Sequence, residues 1–203
     1  MKARTHIFYA VIRAIFKPIF YLKDRLIYVG RENVPKEGAF ILASNHLKST
    51  DPIHIGTAIR RQIMFMAKAE LFKNPFANWF FTHLGAFPVE RGKGDRSSID
   101  HFEQILKDGY LMGIFIEGTR SKTGEFLPPK NGVSLIAYET KTPVIPVCVT
   151  NLKKRRVVHF GKPLSLEELG LENGKAREFR MASRKIMDHI KALRAEDLEK
   201  YGD

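Results

Sequence analysis

Short runs of nearly unbroken apolar residues, alternating with segments of helical periodicity, constrain this chain most. They fall at 39–43, 63–67, 86–89, 113–116, 144–149 and 157–160. A strand with one face in water alternates polar and apolar residues, whereas a strand apolar throughout needs cover on both faces. Helices are expected over 52–60, 75–83, 98–108, 131–140 and 175–198. Pro52 and Pro75 stand where a first helical turn accepts proline. Ser97 with Asp100, and Ser165 with Glu168, read as capping boxes, the first preceding a face of Ile99, Phe102, Ile105 and Leu106. Residues 170–174 (Gly-Leu-Glu-Asn-Gly) break the chain before a last helix that covers the sheet. The expected fold is α/β: a single domain with a mostly parallel or mixed sheet flanked by helices.

The N-terminal segment raises the question of a membrane. Residues 5–22 are rich in Ile, Phe, Tyr and Val, but Arg13 and Lys17 interrupt them and Pro18 follows. A spanning helix needs about 20 consecutive apolar residues, and a signal peptide needs a small-residue cleavage site; neither is found. Arg13 and Lys17 share one helical face, while Ile7, Val11, Ile15, Ile19 and Leu22 fall mainly on the other. The expectation is an amphipathic interfacial helix over 1–25, lying in the headgroup plane, followed by one domain over 26–203. A helix packed on its own domain is the alternative, and the two are compatible.

Lys and Arg total 34 against 22 acidic residues, a net charge of +12. That surplus favours an anionic partner: phospholipid headgroups, nucleic acid or an acidic carrier protein. No RNP-like aromatic block, helix-turn-helix signal or zinc spacing supports nucleic acid. Cys148, the one cysteine, has no partner for an internal disulfide and no ligand-spaced companions for zinc, which fits a reducing compartment.

The chemistry is concentrated in Ser44-Asn45-His46-Leu47-Lys48-Ser49-Thr50-Asp51-Pro52. This His-x4-Asp (HX4D) spacing lets a strand-end imidazole meet a carboxylate one turn on. The carboxylate then holds one ring nitrogen while the other takes a proton from a hydroxyl. Asp51-Pro52 is also a helix-cap signature, and the second carboxylate oxygen is free to cap the helix. His54 adds a third metal-type ligand to His46 and Asp51, but no fourth is apparent, and a packing role is the plainer reading.

Three further blocks follow: Gly85-Ala86-Phe87-Pro88-Val89-Glu90-Arg91-Gly92, then Phe115-Ile116-Glu117-Gly118-Thr119-Arg120-Ser121, then Thr142-Pro143-Val144-Ile145-Pro146-Val147. In this order and spacing, over roughly 30–150, the chain resembles the glycerophospholipid acyltransferase family, in its bacterial 1-acylglycerol-3-phosphate (PlsC-type) branch. The resemblance implies an O-acyltransferase of phospholipid biosynthesis on the cytoplasmic face of the cell membrane, peripheral or monotopic. It implies transfer of an acyl group from acyl-CoA or acyl carrier protein to the 2-hydroxyl of lysophosphatidate, with no bound cofactor and no metal. His46 would be the base and Asp51 its partner. Arg91 and Arg120 would grip the glycerol phosphate, with Glu117, Gly118 and Thr119 beside them. Lys68 would bind phosphate or the developing oxyanion, and Pro146 would shape the pocket. Glu117 would accept from the glycerol or organise the arginines; an internal Glu–Arg pair in a turn is the plainer alternative.

Two positions depart from the family pattern. Ile116 stands where proline is common, and Glu90 where aspartate is common. Other acceptors remain open (another lysophospholipid or glycerol 3-phosphate), as does a non-catalytic basic membrane- or nucleic-acid-binding protein. An aromatic segment, Phe72, Phe76, Trp79, Phe80, Phe81 and Leu84, suits a bilayer interface, an acyl tail or a core equally.

Overall fold

A computed structural model of the chain describes residues 2–89 and 96–202, and for 2–6, 89 and 96–100 the backbone alone. The elements run α1 (Lys2–Asp24), β1 (Leu26–Val29), β2 (Phe40–Ser44), α2 (Asp51–Ala58), β3 (Ile63–Lys68), α3 (Pro75–His83) and β4 (Ala86–Val89). They continue with α4 (Arg96–Lys107), β5 (Leu111–Phe115), α5 (Gly132–Thr140), β6 (Val144–Asn151), β7 (Arg156–Phe160), α6 (Leu166–Leu169) and α7 (Ala176–Tyr201). Among the described residues the strands form one seven-stranded sheet in the order β1-β7-β6-β2-β5-β3-β4. All neighbours are parallel except β6 and β7, which pair antiparallel. The sheet is therefore mixed.

The apolar runs are strands covered on both faces, and the period-2 pleat sorts their side chains. Ile41, Ala43, Met112, Ile114, Val144 and Cys148 face one cluster, which includes Ala182, Ile186, Met187 and Ile190 of α7. Leu42, Leu111, Ile145, Val147 and Val149 face the other, which includes Ile55 and Ala58 of α2. The four-residue β1 was not expected. Its Leu-Ile-Tyr-Val run directly follows a helix and is too short to separate from it by periodicity.

Local signals behave as their chemistry requires. Pro75 opens α3, where Asn74 Oδ1 accepts from Phe76 N and Ala77 N. The Ser165–Glu168 capping box is present, and Gly170 ends α6 in the left-handed region. The expected Ser97–Asp100 box falls on side chains outside the described set. Pro146 lies in an interior strand rather than at an edge. The β6–β7 register ends at Val147, and beyond it Gly161 N donates to the Pro146 carbonyl at 2.8 Å; the proline, which has no N–H, gives no bond back.

In the middle of α1 the cations lie on the inner side and the apolar stripe on the outer. Ile7, Val11, Ile15, Ile19 and Leu22 are 66%, 51%, 51%, 49% and 76% exposed, while Arg13 and Lys17 are half-buried. Tyr9 anchors the inner face, donating to Gly56 O of α2 at 3.1 Å. The aromatic segment divides. Phe80, Phe81 and Leu84 turn inward, whereas Phe76 and Trp79 are exposed. Phe8 of α1 meets Trp79 edge-on at 5.2 Å.

Candidate active site

Because β2, β5, β3 and β4 are adjacent and parallel, the residues after them gather along one sheet edge. In open α/β sheets this is where ligands bind. His46 follows β2, Glu117 to Ser121 follow β5, and Lys68 ends β3, roughly 10 Å from β2 at the usual strand spacing. Arg91, beyond the end of β4, lies outside the described residues, as do Glu90 and Gly92.

His46 Nδ1 lies 2.9 Å from Asp51 Oδ2. The same oxygen accepts from Leu47 N and Lys48 N, each at 2.7 Å. Asp51 is fully buried. Oδ2 can only accept, so the network assigns the proton to Nδ1 and leaves the Nε2 lone pair free. Among the described residues nothing bonds Nε2. The expected helix cap is not made. Thr50 is the N-cap residue, its side chain making no bond to the helix N–H groups, and Asp51 turns back onto the loop, with Oδ1 buried and unpartnered. The loop folds over the helix end and brings its own N–H groups to the carboxylate first.

The ring plane of His46 is set by stacking on Phe115, at 3.8 Å and 13°. Phe115 in turn stacks on Phe65 at 5.8 Å. Phe65 fits because residue 113 is glycine; a Cβ there would stand 2.2 Å from its ring.

Asn45 was not singled out from the sequence, yet it fixes the catalytic loop. Fully buried, its amide donates to Val149 O at 3.0 Å and accepts from Val149 N at 2.8 Å. The side chain thus extends the β2–β6 ladder by one peptide-like pair. An asparagine between an apolar run and the histidine was the available signal. Asn45→Leu leaves the Val149 N–H and C=O unpaired, at about 1–3 kcal/mol for a buried group. Urea unfolding should register that loss, with turnover falling alongside it.

Glu117 is 1% exposed, and backbone groups use both its oxygens. Oε1 accepts from His46 N at 3.4 Å and Oε2 from Leu127 N at 3.3 Å. Burial pushes its carboxyl above the usual range, and the two backbone donors pull it back. Ser121 N donates to His46 O at 2.8 Å, tying the loops together from the other side. Ile116 shows what proline would forfeit: its N–H donates to Ser44 O at 2.9 Å, continuing the β2–β5 ladder. Gly118 takes φ +69°, where a side chain is strained. Lys68, Thr119 and Arg120 are exposed, and their side chains have no partner among the described residues.

An apolar cavity of about 270 Å³ runs between α1, α2, α3 and β3. Ser49, inside the His46–Asp51 loop, lines its edge, and Phe65 joins it to the His46 stack. Arg13 is a cation in its wall, with Nε buried and unpartnered.

His54 does not join His46 and Asp51 as a ligand set. Its Nε2 bonds Asp24 at 2.9 Å and its Nδ1 faces an Arg156 N–H at 2.9 Å. Burial and the Arg156 charge lower its pKa below the ordinary 6.5, against the opposing pull of Asp24 and Asp51. Below pH 6.5 the unfolded chain therefore binds more protons at this position than the folded one. Stability from this group is full above 6.5 and falls as the pH descends. Unfolding free energies measured at pH 7.5 and 5.5 should differ less in His54→Phe than in the wild type.

Residues 25–150 match the family described as Acyltransferase. The chain belongs to this family. The 1-acyl-sn-glycerol-3-phosphate acyltransferase of Bacillus subtilis is 38% identical over 131 residues, covering 64% of this chain and 65% of that protein. The enzyme of that name from Borreliella burgdorferi is 28% identical over 146 residues, 70% of this chain and 58% of its own. The matches thus span less than two thirds of either relative. Among solved structures, the 1-acyl-sn-glycerophosphate (LPA) acyltransferase PlsC from Thermotoga maritima superposes with a TM-score of 0.77 at 25% identity, covering 97% of this chain and 83% of that one.

Proposed function

We propose that the chain is a 1-acyl-sn-glycerol-3-phosphate acyltransferase, moving a fatty acyl group from acyl-CoA or acyl carrier protein to the 2-hydroxyl of lysophosphatidate. The observation that carries this reading is the buried Asp51 carboxylate 2.9 Å from His46 Nδ1, with Nε2 open at the sheet edge. Nε2 takes the hydroxyl proton as the oxygen attacks the thioester carbonyl. The C–O bond forms, the C–S bond breaks, and the imidazolium returns the proton to the departing thiolate. Asp51 stabilises the imidazolium, as aspartate does in serine hydrolase triads. The acceptor supplies the nucleophilic oxygen, so no acyl-enzyme forms.

Arg120 and Lys68, exposed at the same edge, suit the phosphate, and Arg91 joins them by the family pattern. Glu117 serves by holding the His46 loop in register. The apolar cavity beside Ser49 suits an acyl chain. Among the described residues no helix is long and apolar enough to cross a membrane. The exposed stripe of α1 with Phe76 and Trp79 supports docking on the cytoplasmic membrane surface. Radiolabelled lysophosphatidate offered with each thioester donor tests the proposal, with competing lysophospholipids and glycerol 3-phosphate as alternative acceptors. Absence of labelled phosphatidate with either donor defeats it.

A further inference from the structure

Away from the sheet edge, α1, α2 and β7 meet in a buried polar chain. Asp24, the last residue of α1, accepts from His54 Nε2 through Oδ2 at 2.9 Å. His54 Nδ1 accepts from Arg156 Nη1 at 2.9 Å, and the same nitrogen reaches Thr50 Oγ1 at 3.3 Å. His54 is fully buried and Arg156 is 6% exposed. Thr50 immediately precedes Asp51, and its carbonyl accepts from Ile53 N and His54 N, both at 3.0 Å. The chain therefore grips the first turn of α2 on both sides of Asp51. Phe20 closes it from α1, edge-on to His54 at 5.1 Å.

We infer that Asp24, His54 and Arg156 are positioning residues for the proposed transfer, fixing the first turn of α2, and so the Asp51 carboxylate, only while α1 is seated on the domain. The inference rests on the reading of His46 and Asp51 as the base pair. The chain orders itself from charge to charge. Arg156 donates to a neutral imidazole, whose far nitrogen donates to Asp24. Removing either end strands a buried polar group. The first turn of α2 then loses its grip from β7 or from α1. The Asp51 carboxylate is tied to the loop amides of Leu47 and Lys48 and not to the helix end, so the turn that carries it is held from elsewhere. A displacement near 1 Å at a base pair is enough to cost about 10²-fold in rate. The apolar outer face of α1 lies on the helix that ends in Asp24, so seating of α1 and geometry of the base are linked through one side chain.

The test uses the full chain, labelled with 15N-histidine in detergent micelles. His46→Ala assigns the His46 Nδ1–H resonance, the direct reporter of its bond to Asp51. Trp79, the one tryptophan, touches Phe8, and its emission reports whether α1 is seated. In Asp24→Leu and Arg156→Met the His46 resonance should shift or vanish. Their kcat per folded molecule should fall about tenfold or more, with KM within twofold. Asp24→Asn, which keeps an acceptor oxygen, should retain the resonance and most of kcat. Arg156→Met should leave Trp79 emission unchanged. If a variant fails to fold, Thr50→Val removes only the Arg156–Thr50 bond and should move the same resonance. Folded Asp24→Leu and Arg156→Met proteins with the wild-type His46 resonance and kcat overturn the inference, as does Asp24→Asn failing as badly as Asp24→Leu. The resonance needs no substrate, so a wild-type protein inactive on lysophosphatidate refutes the proposed function without deciding this point.

Discussion

His46→Ala should lower kcat for lysophosphatidate acylation by about 10²–10⁴-fold, the usual range for a positioned acid–base group. KM for the acceptor should change little, because the imidazole acts on the proton moving in the transition state and not on the headgroup. The structural basis is the free Nε2 opposite a nitrogen already committed to Asp51 at 2.9 Å. Asp51→Asn should be nearly as damaging. Three N–H groups converge on Oδ2. An asparagine oxygen placed there still accepts from the loop amides but carries no charge to stabilise the imidazolium. Its NH2 group takes the place of Oδ1, which is buried and has no hydrogen-bond partner. Steady-state assays of both variants, with circular dichroism to confirm folding, decide the matter. Turnover by His46→Ala within a few-fold of wild type would remove the imidazole from the mechanism.

The second large effect concerns the membrane. Replacing Ile7, Val11, Ile15 and Ile19 together with serine should weaken binding to anionic vesicles by about 10³-fold. Each side chain is about half exposed or more, and burying that remainder in lipid is worth roughly 1 kcal/mol at about 25 cal/mol per Å². Four such losses approach about 4 kcal/mol, and each 1.4 kcal/mol is about tenfold. The substitutions lie on the outer face, away from the Tyr9 anchor and the cavity. The melting temperature should therefore stay close to the wild-type value, as it does for surface changes of about ±0.5 kcal/mol. Vesicle flotation measures the first quantity and calorimetry the second. Flotation equal to wild type would show that the stripe does not dock. A large drop in melting temperature would assign the stripe to folding instead.

Much of the fold was legible because burial on two faces leaves an unmistakable apolar run, as at 144–149, and because caps such as Ser165 with Glu168 are local devices. The short β1 and the antiparallel direction of β7 were not. Strand order and direction are set by which surfaces fit together, and no local pattern records that. The site divides in the same way. His46 and Asp51 are five residues apart, close enough for one turn of chain to join them. Asn45 meets Val149 across 104 residues, and Glu117 meets His46 N across 71. Neither partner is written near the residue it serves. Asp51 was expected to share itself with the helix end, but the loop amides that displaced that bond come into range only once the loop has folded.

The sequence alone determined a two-face-buried sheet, an N-terminal helix of divided character, and a histidine within reach of an aspartate, because hydrophobic periodicity and short-range spacing are properties of neighbouring residues. Tertiary structure alone decided that Arg13 and Lys17 of α1 turn inward and its apolar stripe outward. It also decided that Glu117 braces the histidine loop, and that His54 joins α1 to β7 through a buried charge chain. These outcomes depend on the desolvation of polar groups from distant segments, and that cost is settled only when the segments are packed together.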